Sequence, residues 1–263
     1  MILRTGDFAG IPVSRTTLPQ AADEVIARAR ARSQPTAYRL VNSYTFALAD
    51  QMRPYHHLLR NHGINLPDGR PLVQSLNSLV PGATDFRQVR GPALFAECLD
   101  RGRRSQVRHF FLGGTEELLA ALGREANLLF PGIIICGTYS PPFHDLTDDE
   151  VAEQDRIIAA ADPDVVWVGL GTPKQDFEAQ RLCDELGVTT AGVGAAFDFV
   201  AGTKREAPRW VRRLSMEWFF RFATEPRRLW RRYLFGNTRF IYMVLRSRAR
   251  PSLHRPSPPR PPA

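Results

Sequence analysis

One run constrains the fold more than any other. Asp164-Val165-Val166-Trp167-Val168 leads directly into Gly169-Leu170-Gly171-Thr172-Pro173. Four adjacent apolar residues leave no polar face, so the strand must be covered on both sides, as strands of a parallel sheet are. A helix from Lys174 to Leu186 and a strand from Thr189 to Val193 follow. The same alternation recurs upstream. Ala21 to Arg32 places Ala22, Val25, Ile26 and Ala29 at helical spacing, and Tyr38 to Val41 reads as a strand running into Asn42. Phe46 to Leu59 reads as a helix broken near Pro54. Gly63 to Leu66, His109 to Leu112 and Gly132 to Cys136 read as further strands. Thr115 and Thr147 suit the caps of the helices that follow them. Strands alternating with helices predict an α/β fold, a mostly parallel, Rossmann-like sheet.

Composition narrows the setting. The chain has 263 residues and 3 cysteines far apart in sequence, which argues against a disulfide framework and for a reducing compartment. The first residues carry no basic stretch followed by an apolar run, so no signal peptide is expected. No stretch approaches the ~20 apolar residues of a spanning helix. A soluble or peripheral protein of the cytoplasm is therefore expected.

In a parallel sheet, ligands bind beyond the carboxyl ends of the strands. Four loops fall there: Asn42 to Thr45, Pro67-Asp68-Gly69, Gly113-Gly114-Thr115, and Gly169 to Gln175. Glycine lets the backbone approach a ligand, and the helix start behind it offers free N–H groups to a phosphate. Neither a P-loop nor a dinucleotide fingerprint is present, so ATPase and dehydrogenase readings lack support. Asp162-Pro163-Asp164 has the form of a metal-binding D-x-D but precedes its strand, at the wrong end of the sheet. The six histidines share no ligand spacing. Asp68 stands where a general base could stand, though Asp before Gly is also a common turn former. On these residues alone, a transferase and a non-catalytic nucleotide or nucleic-acid binding module both remain open.

Taken in order, the loops resemble the WecG/TagA/CpsF family of bacterial glycosyltransferases, glycosyltransferase family 26. The resemblance runs from about Tyr38 to Tyr242. It is carried by Leu66-Pro67-Asp68-Gly69, Phe111-Leu112-Gly113-Gly114, Val168 to Gln175, Gly192 to Gly202, Ala207-Pro208-Arg209-Trp210, and Glu225 to Tyr233. It implies an inverting, metal-independent enzyme that needs no cofactor. Such an enzyme takes a UDP-sugar, often UDP-N-acetylmannosamine, and extends an undecaprenyl-diphosphate-linked sugar for a cell-surface polysaccharide. It implies Asp68 as the general base. Asn42 and Gln175 match active-site positions. Without a metal, the leaving group's charge must fall on N–H groups and cations, which the Gly169–Gln175 loop, with Gly169, Gly171, Thr172 and Lys174, suits; Gly113 and Gly114 are further substrate-binding candidates. Departures occur. The family's Thr two residues before Asn42 is Leu40 here, with Thr45 nearby. Its Arg falls on Gln88, flanked by Arg87 and Arg90. Its Gly-x-Asp-Leu is Gly91-Pro92-Ala93-Leu94, and the Glu expected after Gln175 is Asp176. Thr45, Arg87 and Arg90 are thus further substrate-binding candidates.

Charge is unevenly spread. The chain nets +8, yet Lys204 and thirteen arginines against three glutamates give residues 204–250 a net of +11, and residues 1–203 a net of −5. Trp210, Trp218, Phe219, Phe220, Trp230 and Tyr233 interleave with these arginines. A helix in a membrane interface, a nucleic-acid surface and a solvated helical face share this composition. The resemblance, with its lipid-linked acceptor, selects the membrane and implies no nucleic-acid partner. Arg227, Arg228, Trp230, Arg231 and Arg232 are the expected contacts. The expected organisation is a core over 1–203, a C-terminal helical appendage over 204–250 lying at the inner face of the plasma membrane, and a Pro-rich disordered tail over 251–263.

Overall fold

The computed structural model describes residues 4–204 and 226–249. Six parallel strands form one sheet in the order β4-β3-β8-β7-β5-β6. They are β3 (Ala37–Val41), β4 (Ile64–Pro67), β5 (Arg108–Leu112), β6 (Ile134–Tyr139), β7 (Val165–Val168) and β8 (Thr189–Gly192). A short antiparallel hairpin, β1 (Thr5–Phe8) and β2 (Ile11–Ser14), precedes them. The α/β class and the parallel, Rossmann-like sheet thus agree with the sequence reading.

Alternation along each strand builds the layers. On β7, Val165 and Trp167 join one core, and Val166 and Val168 join another. The first core collects α1 (Leu18–Ala31), α5 (Gly91–Gly102), α6 (Glu116–Leu129) and α9 (Ala196–Val200). The second faces α7 (Asp148–Ala161) and α8 (Lys174–Leu186). A third core lies under the β1–β2 hairpin, where Phe8, Phe46, Tyr55 and Leu76 pack with Phe240 and Met243. It is closed by α2 (Ser43–Ala49), α3 (Arg53–Asn61), α4 (Arg70–Leu79) and the last described helix, α10 (Pro226–Ala249).

Some boundaries differ from those read in sequence. The helix expected over Phe46 to Leu59 is two helices, α2 and α3, and Pro54 sits in the first turn of the second. There its missing N–H costs nothing, so the break falls before it, at Asp50 to Met52. The strand placed at Gly132 to Cys136 begins two residues later, at Ile134, because Pro131-Gly132 turns before it, and it continues to Tyr139. The hairpin, α4, α5 and α9 are additions to the sequence reading. Of the basic segment, residues 205–225 and 250 lie outside the described residues, as does the 251–263 tail. Arg227, Arg228, Trp230, Arg231 and Arg232 fall on the backbone of α10, with side chains outside the described set.

Candidate active site

Register places the loops. Val41 pairs with Pro67, so the next residues, Asn42 and Asp68, stand side by side. Leu112 pairs with Val168, which sets Gly113 beside Gly169. The ladders continue one step beyond the strands. Asp68 N donates to Val41 O at 2.7 Å, Gly169 N to Leu112 O at 2.8 Å, and Val193 N to Val168 O at 3.0 Å. The chain leaving β5 turns outward to β6, and the chain leaving β7 turns the other way to β8. The crevice between β5 and β7 is therefore the topological switch point, where such sheets bind ligands.

Two glycine loops meet in that crevice. Gly113 has φ +111°, and a Cβ on it would lie 2.9 Å from the Gly169 carbonyl carbon. Only glycine allows both the backbone angle and the approach. Ser140, after β6, donates to Gly114 O at 2.7 Å and ties a third loop to the pair. Gly171 is exposed with open space around its Cα, and the Thr172–Pro173 peptide is cis. Lys174 is exposed at the start of α8, and its Nζ donates to His144 O at 3.3 Å. Gln175 is buried instead. Its Oε1 accepts from Gly171 N at 3.0 Å, so it braces its own loop.

The other half of the site lies beyond β3 and β4. Asp68 is half-buried on the turn before α4. Gly69, with φ +96°, brings that turn against Asn42, and a Cβ on it would sit 3.5 Å from the Asn42 Cβ. Asn42 caps α2. Its Oδ1 accepts from Tyr44 N at 3.0 Å and Thr45 N at 3.2 Å. Thr45 closes the capping box, accepting from Asn42 N at 3.2 Å, and is 1% exposed. It therefore holds Asn42 from beneath and does not line the cleft. Arg90 caps α5, whose first residue, Gly91, would bring a Cβ within 3.1 Å of Val193 O. Arg90 accordingly stands at the end of β8. Arg87 is exposed and donates to Thr84 O at 3.0 Å and Phe86 O at 3.2 Å, turned onto its own loop.

Sequence reasoning missed three residues behind this site. Arg39, Tyr55 and Asp176 are buried together. Tyr55 Oη donates to Asp176 Oδ2 at 2.6 Å, and burial raises the Asp176 carboxyl to about 6. An arginine inside the apolar run Tyr38 to Val41 was the available signal, since a buried guanidinium needs partners. Asp162 and Asp164 lie at the opposite end of the sheet. Asp164 pairs with Arg30 at 3.0 Å and with Arg32 at 2.7 Å. Backbone and arginine hydrogen bonds hold its carboxyl below the ordinary range, against the effect of burial.

Comparison with known proteins adds to this geometry. Residues 7–254 match the Glycosyl transferase WecG/TagA/CpsF family. An N-acetylglucosaminyldiphosphoundecaprenol N-acetyl-beta-D-mannosaminyltransferase of Bacillus spizizenii is 34% identical over 182 residues, covering 68% of this chain and 67% of that protein. The Bacillus subtilis protein of the same name is 31% identical, covering 69% and 68% respectively. Its Staphylococcus aureus counterpart is 24% identical over 227 residues, 86% of this chain and 87% of that protein.

Proposed function

This chain belongs to the WecG/TagA/CpsF family of glycosyltransferases, and from that premise we propose that it moves an N-acetylmannosamine-like sugar from UDP to an undecaprenyl-diphosphate-linked sugar, with inversion at the anomeric carbon. One observation carries the reading. Asp68, Asn42, the Gly113–Gly114 turn and the Gly169–Gln175 loop follow four separate strands and stand along the carboxyl edge of one sheet. The relatives' names supply the sugar and the lipid-linked acceptor.

Roles follow from charge. Inversion is one displacement, in which the acceptor hydroxyl loses its proton as it attacks. Asp68 takes that proton. The departing UDP gains negative charge, which the Gly114 and Leu170 amides, the first turn of α8 and the Lys174 side chain receive. Thr172 and Arg90 stand beside these groups as donors. Asn42 orients the sugar opposite Asp68. No metal takes part in this scheme, and the one D-x-D of the chain is committed to arginines at the far end of the sheet.

The enzyme works as a peripheral protein at the inner face of the plasma membrane, with the basic C-terminal segment toward anionic lipid. Among the described residues no helix is long and apolar enough to cross a membrane. The test is a panel of UDP-sugars with a lipid-linked N-acetylglucosamine acceptor, read as UDP release with and without chelator. The N-acetylmannosamine donor should be turned over best, equally in both. Failure of every UDP-sugar, with thermal stabilisation by oligonucleotide and none by UDP, would return the chain to a binding module. Activity lost to chelator and restored by Mg²⁺ would overturn the metal-free scheme.

A further inference from the structure

The outer face of α3 carries cations and imidazoles and no acid. Arg53, His56, His57 and Arg60 stand at i, i+3, i+4 and i+7 and so form one stripe, while Tyr55, Leu58 and Leu59 are buried behind it. Arg53, His57 and Arg60 are exposed, and His56 is half-buried. Together they line an open groove of about 530 Å³. The tip of the β1–β2 hairpin meets two of them. His56 Nε2 donates to Ala9 O at 3.1 Å, and a Cβ on Gly10 would lie 3.6 Å from that nitrogen and 3.7 Å from Arg60 Nη1. Imidazole and guanidinium therefore converge at one point of the groove. Asp50, after α2, is the acid of the lining, and its charge is met by Arg239 of α10, Nε to Oδ2 at 2.6 Å.

Through that pair the groove continues onto α10. Ile241, Tyr242 and Leu245 are exposed there, while Phe240 and Met243 are buried. Arg239 and Arg246, seven residues apart, flank the exposed apolar residues on one side. Apolar side chains bordered by arginines are what an element lying in a membrane interface presents to lipid. The flank also has a bearing on the cleft. The strand at this edge of the sheet is β4, and Asp68 follows it. A bilayer against the flank would bring a lipid-linked hydroxyl to the Asp68 half of the cleft. We propose that the basic face of α3 is a second lipid contact, a groove that holds the phosphates of anionic headgroups while α10 lies in the interface beside it. The inference rests on the membrane reading of the C-terminal segment and adds to it the element that grips the headgroups.

The test uses the full chain and needs no sugar. Sedimentation is measured with vesicles of phosphatidylcholine alone and of phosphatidylcholine mixed with phosphatidylglycerol. Arg53→Gln combined with Arg60→Gln should weaken binding to the mixed vesicles about tenfold or more, with the thermal transition near wild type. Arg104→Gln combined with Arg124→Gln removes the same charge from the helical layer across the sheet and should bind within about twofold of wild type. If the α3 pair does not fold, Arg53→Gln alone carries the test with a fall of about fivefold, since Arg53 is exposed and in no ion pair among the described residues. Two double variants that both bind like wild type, or that weaken alike, would overturn the proposal. So would vesicle binding kept by the α3 variant while self-association, read by sedimentation velocity, or oligonucleotide binding is lost. A wild type that ignores the mixed vesicles would end the membrane reading and the α3 contact together, whereas a wild type that binds them no better than the α3 variant ends the α3 contact alone.

Discussion

Asp68 and Asp176 are two carboxylates in opposite surroundings. Asp68 is half-buried on the turn between β4 and α4, at the carboxyl edge of the sheet. Asp68→Asn keeps the turn and removes the proposed base. Turnover should fall ~10²–10⁴-fold, with UDP affinity within a few fold by calorimetry. A variant keeping a third of wild-type turnover would leave Asp68 a turn residue. Asp176 is sealed between Tyr55 of α3, Arg39 of β3 and Gln175, and burial lifts it from 3.8 to about 6. Its folded value lies above its unfolded one. It therefore favours the fold below pH ~4, and that contribution is lost as pH rises through about 6. His109 works the other way. Burial lowers it to about 4, so its contribution is lost as pH falls from 6.5 toward that value. The two oppose each other in one window, so wild type alone will not separate them. The difference in stability between Asp176→Asn and wild type should grow in the variant's favour from pH 4 to 7, by on the order of 3 kcal/mol. A difference that stays flat with pH would mean that Asp176 does not titrate there.

Elements meet at the cleft through backbone as much as through side chains. The β5 and β7 loops touch at Gly113 and Gly169, whose own N–H groups are held by Tyr139 O and Leu112 O, so the close approach fixes the two loops against each other. Gly113→Ala would force a Cβ into the Gly169 carbonyl at a φ that side chains rarely adopt. Strain of about 1–3 kcal/mol should part the loops. UDP affinity should then weaken about tenfold or more while the thermal transition stays cooperative. Unchanged UDP affinity would place the leaving group elsewhere. The α2 element shows how one residue can be misplaced by sequence reading. Thr45 was read as a substrate contact, yet the capping box turns it inward, because the third helical residue faces back over the cap.

At the scale of the molecule, charge and packing divide the C-terminal segment between two tasks. Phe240 is 4% exposed, and its ring lies 5.8 Å from Phe8 and 6.5 Å from Phe46. Ile241, Tyr242 and Leu245 on the same helix are exposed. One face of α10 therefore completes the third core, and truncation before Lys204 would uncover that core as well as remove the charge. Charge reversal is the sharper experiment. Arg227, Arg228, Arg231 and Arg232 changed together to Glu should abolish sedimentation with anionic vesicles at moderate salt and leave the thermal transition near wild type. Wild-type binding should itself weaken as salt screens the attraction. Undiminished vesicle binding by the reversed protein would end the membrane reading.

What was legible in the sequence follows from local physics. The apolar run Val165 to Val168, the caps Thr115 and Thr147 and the glycines after the strands each act over a few residues, and they appear where their spacing places them. They sufficed for a parallel α/β sheet with its candidate loops at the carboxyl ends. Strand order, and with it the switch point between β5 and β7, depends on which strands pair across long stretches of chain. No local pattern encodes that. The same holds for Asp176. In sequence it stands out only as the residue after Gln175, where the family has Glu. Only the arrival of Tyr55 and Arg39 from 121 and 137 residues away makes it a buried, partnered acid. Tertiary structure decided this because burial and partnership are properties of assembled surfaces, and a residue's neighbours in the chain do not fix them.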